Sequence, residues 1–230
     1  MSDLSNHSGI IVGVDRSAYS NAAVVWAARE AVMRDVPLKV VHVAYPAIGE
    51  FSGWGLSPAP LPGDFGQFQE QQARTVIDDA VAVAEAATEG DGHLRISSEV
   101  LWSTLVPTLV DLTKEAQMIA VGCRGQGALA RGLLGSASTA LVHHAHCSVA
   151  VIHRDGPRPA GCDQAPVLVG IDGSPASESA TAIAFGEASW RGVDLVALHA
   201  WSDADWPDFP VMEASAIKAS AEDVLAERLA

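Results

Sequence analysis

The strongest constraint on the fold is that the chain repeats itself. Val12-Gly13-Val14-Asp15-Arg16-Ser17 aligns without a gap onto Val169-Gly170-Ile171-Asp172-Gly173-Ser174. The match continues through Ala27/Ala184, Glu30/Glu187, Arg34/Arg191, Leu38/Leu195 and His42/His199. A segment that recurs in register is a folding unit used twice, so one architecture has to satisfy both copies. The first copy runs on to a glycine-rich stretch, Gly122-Cys123-Arg124-Gly125 through Gly135-Ser136. The second copy has no counterpart of that stretch within the 230 residues and reads as incomplete.

Hydrophobic periodicity gives the first copy its elements. Ile10-Ile11-Val12-Gly13-Val14 is a short apolar run, and Val24, Ala27, Ala28, Ala31 and Val32 then recur at helical spacing. Leu38 to Val43 is a second strand, and Ala73, Val76, Ile77, Ala80, Val81 and Ala84 stripe a second helix. Leu94, Ile96, Ser98 and Val100 alternate with Arg95, Ser97 and Glu99, a period of two that places this third strand at a sheet edge. A helix opens near Pro107, where the missing N–H costs nothing in a first turn. Met118 to Gly122 is a fourth, buried strand, Ser136 is placed to cap a helix bearing Leu141 and Val142, and Val149 to Ile152 is the fifth strand. Strands alternating with helices predict an α/β fold: a Rossmann-like, open, parallel five-stranded sheet of order 3-2-1-4-5 with helices on both faces. Such a sheet opens a crevice at the carboxyl ends of strands 1 and 4, where ligands bind.

Two segments read as connections. Residues 44–66 hold Phe51, Trp54 and several prolines and glycines, a long loop rather than an element. Arg154 to Gly161 is a linker by composition, giving domains at 1–153 and 166–230 joined by 154–165.

Composition narrows the function. With 49% apolar and 18% charged residues the chain is a globular, soluble type, and no apolar run approaches the roughly 18 residues needed to span a bilayer. The formal net charge of −14 opposes the counterion-release term that drives binding to phosphate backbones, which argues against nucleic acid. The N-terminus has no basic segment leading into an apolar one, so a cytoplasmic location is expected, with Cys123, Cys147 and Cys162 as reduced thiols.

The two stretches that flank the predicted crevice carry its chemistry. Gly122-x2-Gly125 lets the backbone turn off strand 4 with its N–H groups toward an anion. Gly135-Ser136-Ala137-Ser138 then opens a helix whose first N–H groups and dipole favour negative charge. Arg124 and Arg131 add formal positive charge, Asp15 can hold a ribose, an adenine edge or a magnesium ion, and Val43 can line a base. Simpler roles exist for each: Gly-x-x-Gly is also an ordinary turn, and Ser136 or Asp15 also a helix cap. Neighbours in His143-His144-Ala145-His146-Cys147 splay around a helix, which favours a solvated face over metal ligation. No Gly-x4-Gly-Lys-Ser/Thr loop, Gly-x-Ser-x-Gly elbow or paired catalytic carboxylates occur. Gly125 to Ala130 matches a loose dinucleotide fingerprint but follows the fourth strand, not the first.

Taken together, Val-Gly-Val-Asp-x-Ser, Gly122-x2-Gly125-x9-Gly135-Ser136 and Ala145-His146-Cys147-Ser148-Val149-Ala150-Val151 resemble the universal stress protein family, in its ATP-binding branch. The repetition resembles the tandem-domain members common in mycobacteria and related actinobacteria. The resemblance implies ATP with Mg2+ in the crevice, contacting positions that match Gly13, Val14, Asp15 and Val43 on the base side. It also implies phosphate and ribose contacts at Val121, Gly122, Arg124 and Gly125, then Gly135, Ser136, Ala137 and Ser138. It further implies a nucleotide-dependent regulator of stress response, dormancy or growth with at most slow ATP hydrolysis, and a homodimer through the Val149 to Ile152 edge. A nucleotide-free interaction module of the same fold is one alternative, and a weak ATPase or dinucleotide-dependent enzyme a second. Arg16 departs from the family pattern, standing where a glycine or small residue is frequent, as Gly173 does in the second copy. Its bulk is expected to crowd a bound phosphate or to pair with it.

Overall fold

The computed structural model describes residues 9–45, 65–125, 135–153 and 164–200. The chain divides into two compact units, Met1–Pro157 and Arg158–Ala230.

The first unit alternates strand and helix: β1 (Ile10–Gly13), α1 (Ala18–Met33), β2 (Leu38–Ala44), α2 (Phe65–Ala87), β3 (Ile96–Trp102), α3 (Leu105–Leu112), β4 (Met118–Gly122), α4 (Ser136–His144) and β5 (Ser148–Ile152). The sheet order is β3-β2-β1-β4-β5, as the sequence predicts, and every pair is parallel. β1 lies at the centre, with Ile10 opposite Leu38 on one side and Met118 on the other.

Alternation along the strands feeds two cores. Ile10, Val12, Leu38, Val40, Met118 and Ala120 face α1 and α2, meeting Val24, Ala27, Ala28, Val76 and Ile77. Ile11, Val41, Val43, Ile119 and Val121 face the other way, onto Leu109 of α3 and Leu141 of α4. Both faces of the sheet are therefore covered, and each fully buried Ile, Leu or Val contributes about 1.5–3 kcal/mol of transfer free energy. Four alanines on the buried side of α1, Ala23, Ala27, Ala28 and Ala31, bring this helix close to the sheet. The approach is tightest at Gly122, where a Cβ would lie 2.7 Å from the carbonyl carbon of Tyr19.

Two local expectations change and one, the helix at Pro107, holds. β3 runs two residues beyond Val100, because it follows β2 to the end of the ladder at Ala44 and Trp102. Its position at the sheet edge stands. The helix predicted near Pro107 opens at Leu105, with Pro107 inside the first turn. Ser136 does not cap α4: the capping residue is Gly135, with extended backbone at φ −66° and ψ 161°. Its carbonyl takes the first helical bond, from the Thr139 N–H.

The second unit repeats the opening of the first with β6 (Val167–Gly170), α5 (Pro175–Arg191) and β7 (Leu195–Leu198). The repetition extends to single bonds. Ser17 and Ser174 each cap a helix by accepting from the N–H three residues on. Asp15 and Asp172 each accept from the serine N–H two residues on, at 3.0 and 2.9 Å. His42 Nδ1 donates to the Val14 carbonyl at 2.8 Å, and His199 Nδ1 to that of Ile171 at 2.6 Å. Glu30 with Arg34 and Glu187 with Arg191 form matching ion pairs along α1 and α5.

The copies differ at Arg16. Its φ of 68° lies in the left-handed region, where Gly173 has 80°. That region costs a non-glycine residue roughly 1–2 kcal/mol, so the first copy holds an arginine where glycine is easier. In the second unit Leu168, Val196 and Leu198 are 63%, 45% and 54% exposed, so the two-stranded sheet leaves apolar surface open. The second helix expected in this copy, most of the 44–66 loop and nearly all of the 154–165 linker lie outside the described residues. So do Arg131 and Cys162.

Candidate functional site

Four pieces of backbone meet at the carboxyl edge of the sheet. β1 ends at Gly13 and the chain turns through Val14, Asp15 and Arg16 into α1. Ser17 Oγ accepts from the Ser20 N–H at 3.0 Å and donates to the Arg124 carbonyl at 3.3 Å, tying this turn to the one after β4. The Cys123 carbonyl accepts from Gly135 N–H at 2.7 Å and from Ser138 Oγ at 3.2 Å. These two bonds set the N-terminus of α4 beside Gly122 to Gly125, although ten residues separate the segments in sequence.

Between these pieces lies an open cleft of about 130 Å3. All twelve positions singled out in the sequence line it: Gly13, Val14, Asp15, Val43, Val121, Gly122, Arg124, Gly125, Gly135, Ser136, Ala137 and Ser138. Ser20, Val41, Leu105 and Leu109 line it too and were missed. Leu105 and Leu109 sit one turn apart on α3, a spacing that was legible. Their place at the cleft was not, because it depends on how α3 lies across β2.

The cleft has two chemically distinct ends. At one end, Val41, Val43, Leu105 and Leu109 make an apolar wall suited to a planar ring. At the other, the first turn of α4 presents the N–H groups of Ser136, Ala137 and Ser138, which lack intrahelical acceptors by position. With the helix dipole they favour negative charge at that end. Ser136 is exposed there, whereas Ser138 is 2% exposed and its hydroxyl donates to the carbonyls of Cys123 and Gly135. Ser138 thus holds the loop in place. Arg124 brings a guanidinium, 5.8 Å above the Tyr19 ring.

Asp15 stands between the two ends. Its Oδ1 accepts from the Ser17 N–H and steadies the turn, but the cap of α1 is Ser17, so the helix-capping role raised by the sequence does not fall to Asp15. Oδ2 lies 2.6 Å from where a Cβ on Gly125 would fall, so the carboxylate occupies space that only glycine leaves open. Arg16 does not enter the cleft. Its guanidinium donates to Gln72 Oε1 at 2.6 Å and to the Gln72 carbonyl at 3.0 Å, lining a second, more open cavity on the α2 side. The expected crowding of a phosphate by Arg16 is therefore absent from the glycine end. Among the described residues no three metal-binding side chains come together, and no helix is long and apolar enough to cross a membrane.

An open parallel α/β sheet with a cleft at its topological switch point defines a class of small-ligand-binding domains. The sequence matches the model of the universal stress protein family over residues 8–153 and 165–230. It is 49% identical over 230 residues to universal stress protein Rv2005c of Mycobacterium tuberculosis H37Rv, covering all of this chain and 76% of that one. Identity to Rv2623 of the same organism is 48%, with the same coverage. Among solved structures, a universal stress protein of Archaeoglobus fulgidus DSM 4304 superposes with a TM-score of 0.63 at 19% identity. That superposition covers 96% of this chain and 74% of the other. UspA of Lactobacillus plantarum superposes with a TM-score of 0.51 at 22% identity, over 65% of this chain and 99% of its own. The chain belongs to the universal stress protein family.

Proposed function

We propose that the first domain, residues 1–153, binds one ATP with Mg2+ in the cleft and acts as a nucleotide-dependent regulator of stress response, dormancy or growth. The supporting observation is the polarity of the cleft: an apolar ring site, a carboxylate in the middle, and a helix N-terminus with an arginine at the far end. That order matches base, ribose and phosphates. In this reading Val43 packs on the adenine, Asp15 takes a ribose hydroxyl, and Gly122, Gly125 and the first turn of α4 hold the phosphate chain with Arg124. A bound Mg2+ would offset the charge of the phosphate chain and would need few protein ligands. The protein works in the cytoplasm as a homodimer. Its contact is the β5 edge, where Val149, Ala150, Val151 and Ile152 are all half-buried and no strand among the described residues pairs with the outer side of the ladder.

Ser136→Asp tests the binding site apart from the fold. A carboxylate at the first position of α4 favours the helix by about 0.3–1 kcal/mol but repels phosphates. Isothermal titration with Mg-ATP should give near one ATP per wild-type chain and none for the variant, while the melting temperature holds or rises. Undiminished ATP binding by the variant overturns the phosphate assignment. A folded wild-type protein that takes up no nucleotide leaves the interaction module as the function.

A further inference from the structure

Arg16 is a second cation beside Asp15, and the reading of the cleft as a nucleotide site gives it nothing to bind. Three observations make its placement specific. It is held in a left-handed conformation that glycine fills in the second copy, so the arginine is kept against a local preference. Its guanidinium meets only the neutral oxygens of Gln72, and among the described residues no carboxylate lies within ion-pair distance. It also lines an outer cavity that adjoins the cleft: Val14, Asp15, Val43 and Leu105 border both.

The two cations thus line different cavities, and Asp15 borders both. Arg124 lines the cleft with Gly122 and Gly125, where the nucleotide reading puts the 5′ phosphates, and Arg16 lines the outer cavity. A ribose held at Asp15 turns its 5′ substituent toward Arg124 and its 2′,3′ edge toward the outer cavity. A free hydroxyl on that edge satisfies Asp15 and leaves Arg16 idle. A phosphate on the neighbouring oxygen gives Arg16 a bidentate acceptor better than an amide oxygen. The chain's net charge of −14 repels a second phosphate unless a local cation offsets it, and Arg16 is so placed.

We propose that Arg16 makes the site selective for a nucleotide carrying a second phosphate, on the 2′ or 3′ oxygen of its ribose, in addition to the 5′ chain. This rests on the nucleotide reading of the cleft. Gln72 is the resting partner of the guanidinium, released when the second phosphate arrives.

The test is isothermal titration of the full chain with AMP, adenosine 2′,5′-bisphosphate and adenosine 3′,5′-bisphosphate. In the wild type one bisphosphate should bind about five- to tenfold more tightly than AMP, the scale of one partly exposed charge-assisted contact, and the gain should shrink with added salt. Arg16→Gly, which suits the left-handed backbone and so folds, should lose the gain while binding AMP as before. Gln72→Glu, which gives the guanidinium a resident carboxylate, should reduce the gain without altering the backbone. If AMP binds but neither bisphosphate binds more tightly, or the gain survives in Arg16→Gly, the role of Arg16 is overturned and the nucleotide reading stands. If the folded wild type binds neither AMP nor ATP, both are overturned.

Discussion

Gly122→Ala is the substitution for which the structure sets the magnitude most directly, and it acts on the fold before it acts on any ligand. A Cβ at this position would lie 2.7 and 2.8 Å from the carbonyl carbon and Cβ of Tyr19, and 2.9 Å from the amide nitrogen of Ser20. Ordinary contact begins near 3.4 Å, so about 0.5–0.7 Å has to be found. The obstructing atoms are mostly helix backbone, which no rotamer change can move. The first turn of α1 must therefore lift off β4, which loosens Ser20 and the Ser17 cap. Overpacking of this kind costs about 1–3 kcal/mol. For a domain of this size that lowers the melting temperature by about 2–12 °C. Thermal unfolding by circular dichroism, with urea titration as a check, reads the loss directly. Gly125→Ala is the comparison: its Cβ meets only Asp15 Oδ2, at 2.6 Å, the end of a side chain that can rotate. That variant should keep its stability to within about 1 kcal/mol while re-aiming the carboxylate. A Gly122→Ala protein melting within 1 °C of wild type, on the precision of such scans, refutes the close-approach argument. A loss of ligand by Gly122→Ala alone says little about direct contact with Gly122.

Other outcomes follow from the same structure. Arg34→Ala should destabilise by about 3 kcal/mol in urea titration, because the Glu30 side chain is 1% exposed and loses an ion-pair partner in a buried place. Burial raises the Cys147 thiol from its ordinary value near 9 to about 11. The folded protein then holds this proton above pH 9 while the unfolded chain releases it, so stability falls as pH rises from about 9 to about 11. Cys147→Ala should flatten that decline in a series of urea midpoints. Ser17→Ala should cost about 1 kcal/mol by removing the cap of α1, measured as a shift in the urea midpoint.

The sheet order was legible because the strands differ in pattern. Unbroken apolar runs at Ile10 to Val14 and Met118 to Gly122 mark strands buried on two faces, and the polar alternation from Leu94 to Val100 marks an edge. The end of β3 was not legible, since it depends on the length of β2, its ladder partner. The glycine and serine positions at the cleft stood out because their residue types serve backbone turns. Its hydrophobic wall did not, because Val41, Leu105 and Leu109 look like any other core residues until the layers are stacked. The choice of Gly135 over Ser136 as the cap of α4 turned on the Cys123 carbonyl, which anchors Gly135 from across the loop. A local propensity scale cannot register that bond.

Cys123 also has a consequence for how the parts of the first unit can move. Its N–H donates to the Ile152 carbonyl at 2.8 Å, while its own carbonyl receives both Gly135 and Ser138. One residue therefore fastens the last strand to the mouth of the cleft. From β5 at the sheet margin to the start of α4 the path is one hydrogen bond to the Cys123 N–H, the Cys123 residue, and two hydrogen bonds at its carbonyl. The margin and the first turn of α4 therefore share Cys123 as their common fastening.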